Sequence, residues 1–130
     1  MEGWPTDMVS DWIAVAAGGA LGALLRFWVS ESMPSDSFPW GTLTVNLVGS
    51  ILLGVVTAAV AVNTLSETQA LLFGTGLLGA FTTLSTFSIE SANLWNEQRW
   101  AELAGYISAT ALAGPALALF GWKATEALLN

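Results

Sequence analysis

Four stretches of this chain are long enough to cross a bilayer and almost free of charge. Trp12 to Ser30 is interrupted only by Arg26, while Ser37 to Ser66, Thr68 to Ile89 and Leu103 to Trp122 carry no charge at all. A hydrocarbon core of about 30 Å needs roughly 20 residues of helix, so each stretch supplies one span and nothing remains for a soluble domain. Composition agrees. The chain is 54% apolar and 10% charged, against about 25% charged in an ordinary globular domain. Three basic and ten acidic side chains are too few to cover a small water-soluble fold. The expected fold is an all-α membrane protein, a single domain with transmembrane helices at about 11–30, 41–62, 69–95 and 100–122.

The tryptophans mark the same limits. Trp12, Trp28, Trp40, Trp95, Trp100 and Trp122 fall at the ends of these spans, and only Trp4 lies outside. Trp prefers the headgroup level, where its ring is buried and its N–H is wet. Glu2, Asp7 and Asp11 leave the N-terminal stretch without the basic region of a signal peptide.

The polar inventory narrows the function. With no His and no Cys, the chain lacks the commonest general base and any thiol, so Ser and Thr have no activating neighbour and an enzyme is not expected. A net charge of -7 argues against nucleic acid as a partner, because phosphate binding demands Lys and Arg. The acids, among them Glu31, Asp36, Glu67, Glu97, Glu102 and Glu126, fill loops and termini, an excess that suits a salt-rich habitat. Orientation is undecided. Arg26 and Arg99 lie toward one face and Lys123 toward the other, so the basic residues choose no direction. Either the bias is too weak to read, or the protein inserts both ways and pairs with its own inverted copy.

Within the spans, a few residues are out of place for lipid. Gly18 and Gly22, four apart, permit close helix approach. Arg26 needs either a route to the interface or a partner. Thr42, Asn46 and Ser50 recur every four residues and share one helix face, either as an interhelical clamp or as a polar lane for a solute. In the fourth span Tyr106 and Thr110 share a face, and Pro115 frees a backbone carbonyl. The third span reads "GTGLLGAFTTLSTFS" from Gly74 to Ser88. An intact helix satisfies its own backbone and needs no such row of hydroxyls. A broken one does, and Gly and Thr are the residues that permit and repair a break. The helix is therefore expected to break between Gly79 and Thr83. The carbonyl end of the first half suits a cation, and the N–H end of the second half suits an anion. A small anion would meet the hydroxyls of Ser85 and Thr86, the amide of Asn46 and the positive ring edge of Phe87.

Three segments in this order, "GGALGALLRF" (18–27), "GTLTVNLVGSILLG" (41–54) and "GLLGAFTTLSTFS" (76–88), resemble the Fluc (CrcB) fluoride-channel family. The resemblance covers essentially the whole chain. It implies a dual-topology dimer of antiparallel four-helix subunits in a prokaryotic cell membrane. Such a dimer has two fluoride pathways and one structural sodium ion, and it exports fluoride passively. Carried over by position, the backbone carbonyls of Gly79 and Thr82 hold sodium. Asn46, Ser85, Thr86, Phe87, Tyr106 and Thr110 line the fluoride pathway, while Arg26 is the vestibule-side arginine and Glu90 the helix 3 glutamate. One position departs from the pattern. The family places two Phe three apart, and here the first is Leu84. Either one aromatic suffices, or a partner subunit supplies the other, or conduction is weaker. A homodimer is expected, with a heterodimer of related subunits as the other arrangement.

Two further readings compete. A small four-helix proton-coupled exporter of cations would place an essential acid deep in a span, and only Glu90, late in the third, approaches this. A non-conducting subunit of a membrane complex would need helix packing but no polar lane.

Overall fold

The computed structural model describes residues 5–130, so Glu2 and Trp4 lie outside the described residues. Helix α1 spans Thr6–Ser32 and α2 spans Trp40–Ala61. The third span, Glu67–Asn96, consists of α3 (67–81) and α4 (Leu84–Asn96), and the fourth is α5, Trp100–Leu129. All four spans are long and apolar enough to cross a membrane, and the chain is a multi-pass membrane protein. The outer helices run past the apolar stretches. The first turns of α1 add Asp7, Ser10 and Asp11, and the last turns of α5 add Lys123 and Glu126. Trp12 and Trp122 therefore sit inside the helix ends, with polar turns beyond them.

The third span is broken as expected, at Thr82 and Thr83. Their backbones are extended, with φ/ψ of -88/157° and -151/118°. The start of α3 is fixed by a capping box: the Gln69 N–H donates to Ser66 Oγ (3.1 Å) and the Ser66 N–H to Gln69 Oε1 (3.0 Å). Thr68 then donates to Asp11 Oδ1 at 2.9 Å, tying this end to α1. At the far side of the molecule α4 and α5 are joined by a tight turn in which Gln98 has φ 58°.

Packing is inverted relative to a soluble protein. Large side chains such as Leu24, Phe27, Trp28, Leu112 and Phe120 point outward, while glycines occupy the helix contacts. Lipid offers no hydrophobic incentive to bury Leu, so helices associate through close backbone approach. Helix α1 lies on α3, where a Cβ added at Gly22 would come within 2.0 Å of the Leu77 carbonyl oxygen. Helix α2 lies on the second half of α5, where a Cβ at Gly54 would come within 2.0 Å of the Ala118 carbonyl oxygen. Two small apolar clusters complete the interior: Val45, Leu78 and Phe81, and Leu94, Leu103 and Tyr106.

Two turns are widened to π geometry, Leu71–Leu78 and Ala109–Ala113. The second has a plain cause. Pro115 has no N–H for the carbonyl four residues back, and its ring crowds that carbonyl, so the preceding turn opens.

These contacts predict that Gly54→Ala forces α2 and α5 apart and destabilises the protein by about 1–3 kcal/mol, the usual cost of overpacking. Gly105→Ala, whose added methyl meets nothing within 4 Å, should leave the melting midpoint unchanged or raised. Thermal unfolding of both variants in detergent checks the pair.

Candidate functional site

The break is held open by one side chain. The Asn46 carboxamide on α2 faces Thr83 and makes two hydrogen bonds with its backbone. The Thr83 N–H donates to Asn46 Oδ1 at 2.8 Å, and Asn46 Nδ2 donates to the Thr83 carbonyl at 3.1 Å. Ser50, one turn on, donates to the Asn46 carbonyl at 2.6 Å. Thr83 in turn caps α4: its Oγ1 accepts from the Thr86 N–H at 3.2 Å and donates to Thr86 Oγ1 at 3.1 Å. Ser85 Oγ lies 3.2 Å from the same Thr83 hydroxyl, on the exposed side.

This arrangement diverts the donors of two carbonyls. In a continuous helix the Thr83 N–H would serve Gly79 and the Thr86 N–H would serve Thr82. Here the first goes to Asn46 and the second to the Thr83 hydroxyl. Gly79 and Thr82 border one groove of about 540 Å³ between α2 and α3, with Leu53, Val56 and Gly74 on its walls. Between them in sequence is Ala80, whose carbonyl accepts from Arg26 Nε at 2.9 Å. Arg26 thus has a backbone partner at the break.

On another side of the break is a cavity of about 260 Å³ lined by Asn46, Ser50, Thr82, Thr83, Leu84, Phe87 and Thr110, among others. Thr110 Oγ1 is buried and has no hydrogen-bond partner among the described residues. The Phe87 ring packs on the Tyr106 ring, centroids 5.0 Å apart. The Tyr106 side chain is fully buried, and its hydroxyl donates to Glu90 Oε2 at 2.8 Å. Glu90 Oε1 accepts from the Thr42 hydroxyl at 2.7 Å. Glu90 also lines a second cavity of about 190 Å³, shared with Asp36, Glu97 and Arg99 near the helix ends. Arg99 there pairs with Glu97 at 3.2 Å and Glu102 at 3.6 Å.

The profile of a family described as CrcB-like protein, Camphor Resistance (CrcB), matches residues 13–122. The chain belongs to the CrcB family. A protein named fluoride-specific ion channel FluC from Saccharophagus degradans is 42% identical over 128 residues, 96% of each chain. One named fluoride-specific ion channel FluC 1 from Geobacillus kaustophilus is 44% identical over 83% of this chain and 91% of its own. Another of that name, from Halobacterium salinarum, is 45% identical over 82% of this chain and 87% of its own.

In this CrcB chain the residues singled out from sequence separate into three groups. Asn46, Thr86 and the Gly79 and Thr82 carbonyls gather at the break, with Arg26 reaching it from α1. Phe87 and Thr110 face the inner cavity with Asn46, whereas Tyr106 and Glu90 form a separate hydrogen-bonded set beyond Phe87. Among the described residues the Ser85 hydroxyl reaches only Thr83, and Ser85 stays exposed. The sequence did not single out Thr42 as the second partner of Glu90, 48 positions away, or the Ala80 carbonyl as the partner of Arg26. The four-residue spacing of Thr42 and Asn46 was the one available signal for the first. For the second there was none, because a carbonyl has no side-chain signature.

Replacing Asn46 by Leu should strand the Thr83 N–H and carbonyl, at about 1–3 kcal/mol per buried group. Hydrogen exchange across residues 80–90 should accelerate markedly in Asn46→Leu. Unchanged protection there would mean that the carboxamide does not hold the break.

Proposed function

We propose that the protein is a fluoride-selective channel that lets fluoride leave the cell passively. The similarity to proteins named fluoride-specific ion channels supports the choice of ion. The observation that carries the reading is the Thr110 hydroxyl, buried and unpartnered at the wall of a cavity that it shares with Asn46 and Phe87. A hydroxyl hidden from water without a partner costs about 1–3 kcal/mol, so the site gains when a hydrogen-bond acceptor arrives. Fluoride is a small, strong acceptor. The positive edge of the Phe87 ring is a weak companion, which holds the ion without trapping it. From there the lane runs past Tyr106 to Glu90 and the outer cavity.

The same reading takes the channel to be an antiparallel homodimer with a structural sodium ion. The Gly79 and Thr82 carbonyls fit that ion. Their helical donors are diverted, the two residues border one groove, and carbonyl oxygens are ligands suited to a hard cation. A second copy laid over the groove completes the coordination. Leu84, 74% exposed beside the break, then meets the partner, which supplies what the missing aromatic would have given.

Liposomes loaded with fluoride and reconstituted with the protein should release it without releasing chloride, and replacing sodium by N-methylglucamine on both sides should suppress release. Thr110→Val should cut fluoride efflux tenfold or more while the melting midpoint holds or rises, because the lost hydroxyl had no partner. Equal efflux from Thr110→Val would remove that hydroxyl from the pathway.

A further inference from the structure

Arg26, Arg99 and Lys123 are the only basic side chains of this chain. Arg26 bonds to the Ala80 carbonyl, and Lys123 pairs with Glu126 near the far end of α5. Of these cations, Arg99 is the one that lines the outer cavity of about 190 Å³ together with Glu90. That cavity is difficult for an anion. An ion that has passed Tyr106 comes up against the Glu90 carboxylate, with Asp36 and Glu97 on the same walls. The hydroxyls of Thr42 and Tyr106 satisfy the Glu90 oxygens but bring no charge to offset them. Only a cation in the same cavity can do that, and Arg99 is there.

Arg99 is not the fastening of its turn. Its backbone is already held, because its N–H donates to the Leu94 carbonyl at 2.9 Å and its carbonyl accepts from the Leu103 N–H at 3.0 Å. Its side chain takes no part in capping α5. Among the described residues the guanidinium donates from Nη1 to Glu97 Oε2 at 3.2 Å, and Glu102 Oε1 lies 3.6 Å from Nη2. Both distances exceed the roughly 2.7–2.9 Å of a tight charge-assisted bond, and most of the N–H donors of the guanidinium stay unspent. Loose pairs at the surface contribute little to stability, so the turn should survive without them. The Glu97 and Glu102 side chains are 58% and 43% exposed, against 28% for Arg99. Water therefore screens those acids more than it screens the cation.

We propose that Arg99 is the anion-receiving residue of the outer cavity: its guanidinium attracts fluoride there and offsets the Glu90 carboxylate that the ion must pass. The inference rests on the channel reading above and adds the residue that carries the ion across the acidic end of the lane.

The test measures fluoride efflux from liposomes at equal fluoride loading, with sodium chloride on both sides at about 0.01 M or about 1 M, where the screening length falls from about 30 Å to about 3 Å. In the dilute salt Arg99→Gln should release fluoride at least threefold more slowly than the parent. In the concentrated salt that factor should shrink by half or more. Arg99→Lys keeps the charge and should stay within twofold of the parent in both. Lys123→Gln removes the same charge away from the cavity and should match the parent. Melting midpoints in detergent should hold throughout. Should Arg99→Gln fail to fold, Arg99→Met makes the same comparison; both failing would overturn the proposal, since Arg99 would then be structural. So would a neutral variant that equals the parent in dilute salt, or a deficit undiminished in concentrated salt. Arg99→Lys tracking Arg99→Gln, or equal slowing by Lys123→Gln, would overturn it as well. A parent that conducts while Arg99→Gln conducts equally ends the role of Arg99 alone. A parent that releases no fluoride ends the channel reading, and this role with it.

Discussion

Everything distinctive in this fold depends on one carboxamide. A helix broken at membrane depth exposes N–H and carbonyl groups that lipid cannot satisfy, each at several kcal/mol. Asn is the one uncharged side chain of that length offering both a donor and an acceptor, and Asn46 uses them on the N–H and carbonyl of a single residue, Thr83. The pair closes a ring resembling a backbone pairing between strands, and it stabilises an extended residue where a helix would otherwise continue. Ser50, by donating to the Asn46 carbonyl, binds the next turn of α2 to the same point.

The break also needs α2 to come close, and the glycines provide that. Gly49 sits opposite Thr82, and an added Cβ there would come within 2.2 Å of the Thr82 methyl group. The face of α2 that carries Asn46 to Thr83 therefore has no room for a side chain three residues later. Packing by small residues and the polar clasp are two halves of one device. Close approach without Asn46 would bury unsatisfied backbone, and Asn46 without close approach would not reach.

Much of this was legible in the sequence, for reasons that differ by residue. Spans are read by length and absence of charge, because lipid enforces both. The break was legible because Gly79, Thr82 and Thr83 make no sense in an unbroken lipid helix. The four-residue spacing of Thr42, Asn46 and Ser50 left open whether they form a clamp or a lane, and the structure divides them. Ser50 and Asn46 bond at the break, and Thr42 bonds to Glu90. The π turns were not legible beyond the carbonyl freed by Pro115, since hydrogen-bond register within a helix has little sequence signature. Nor was the extension of α1 and α5 past their apolar stretches, because a helix leaving the membrane loses the constraint that makes it readable. The acidic rim has an echo among the relatives, which include proteins from halophilic archaea such as Halobacterium salinarum.

The polar lane holds fewer free donors than its composition implies. Thr42 and Tyr106 both direct their protons at Glu90, Ser50 directs its own at the Asn46 carbonyl, and Thr82 donates to the Leu78 carbonyl. The Thr110 hydroxyl keeps an uncommitted proton, as does that of Thr86, which accepts from Thr83 and donates to no described residue, and Asn46 retains the second hydrogen of its amide after serving Thr83. An anion crossing the inner cavity would meet isolated donors, not a cage. A cage would bind tightly and release slowly, whereas sparse donors favour passage. The arrangement also separates the charges. Arg26 stands at the break, and Glu90 stands beyond Phe87 with both oxygens satisfied by hydroxyls. An anion in the inner cavity therefore faces neutral groups, with attraction behind it and repulsion ahead moderated by the two hydroxyls on Glu90. A lane of this kind does not need a net positive protein around it, which is how a chain of net charge -7 is compatible with anion transit.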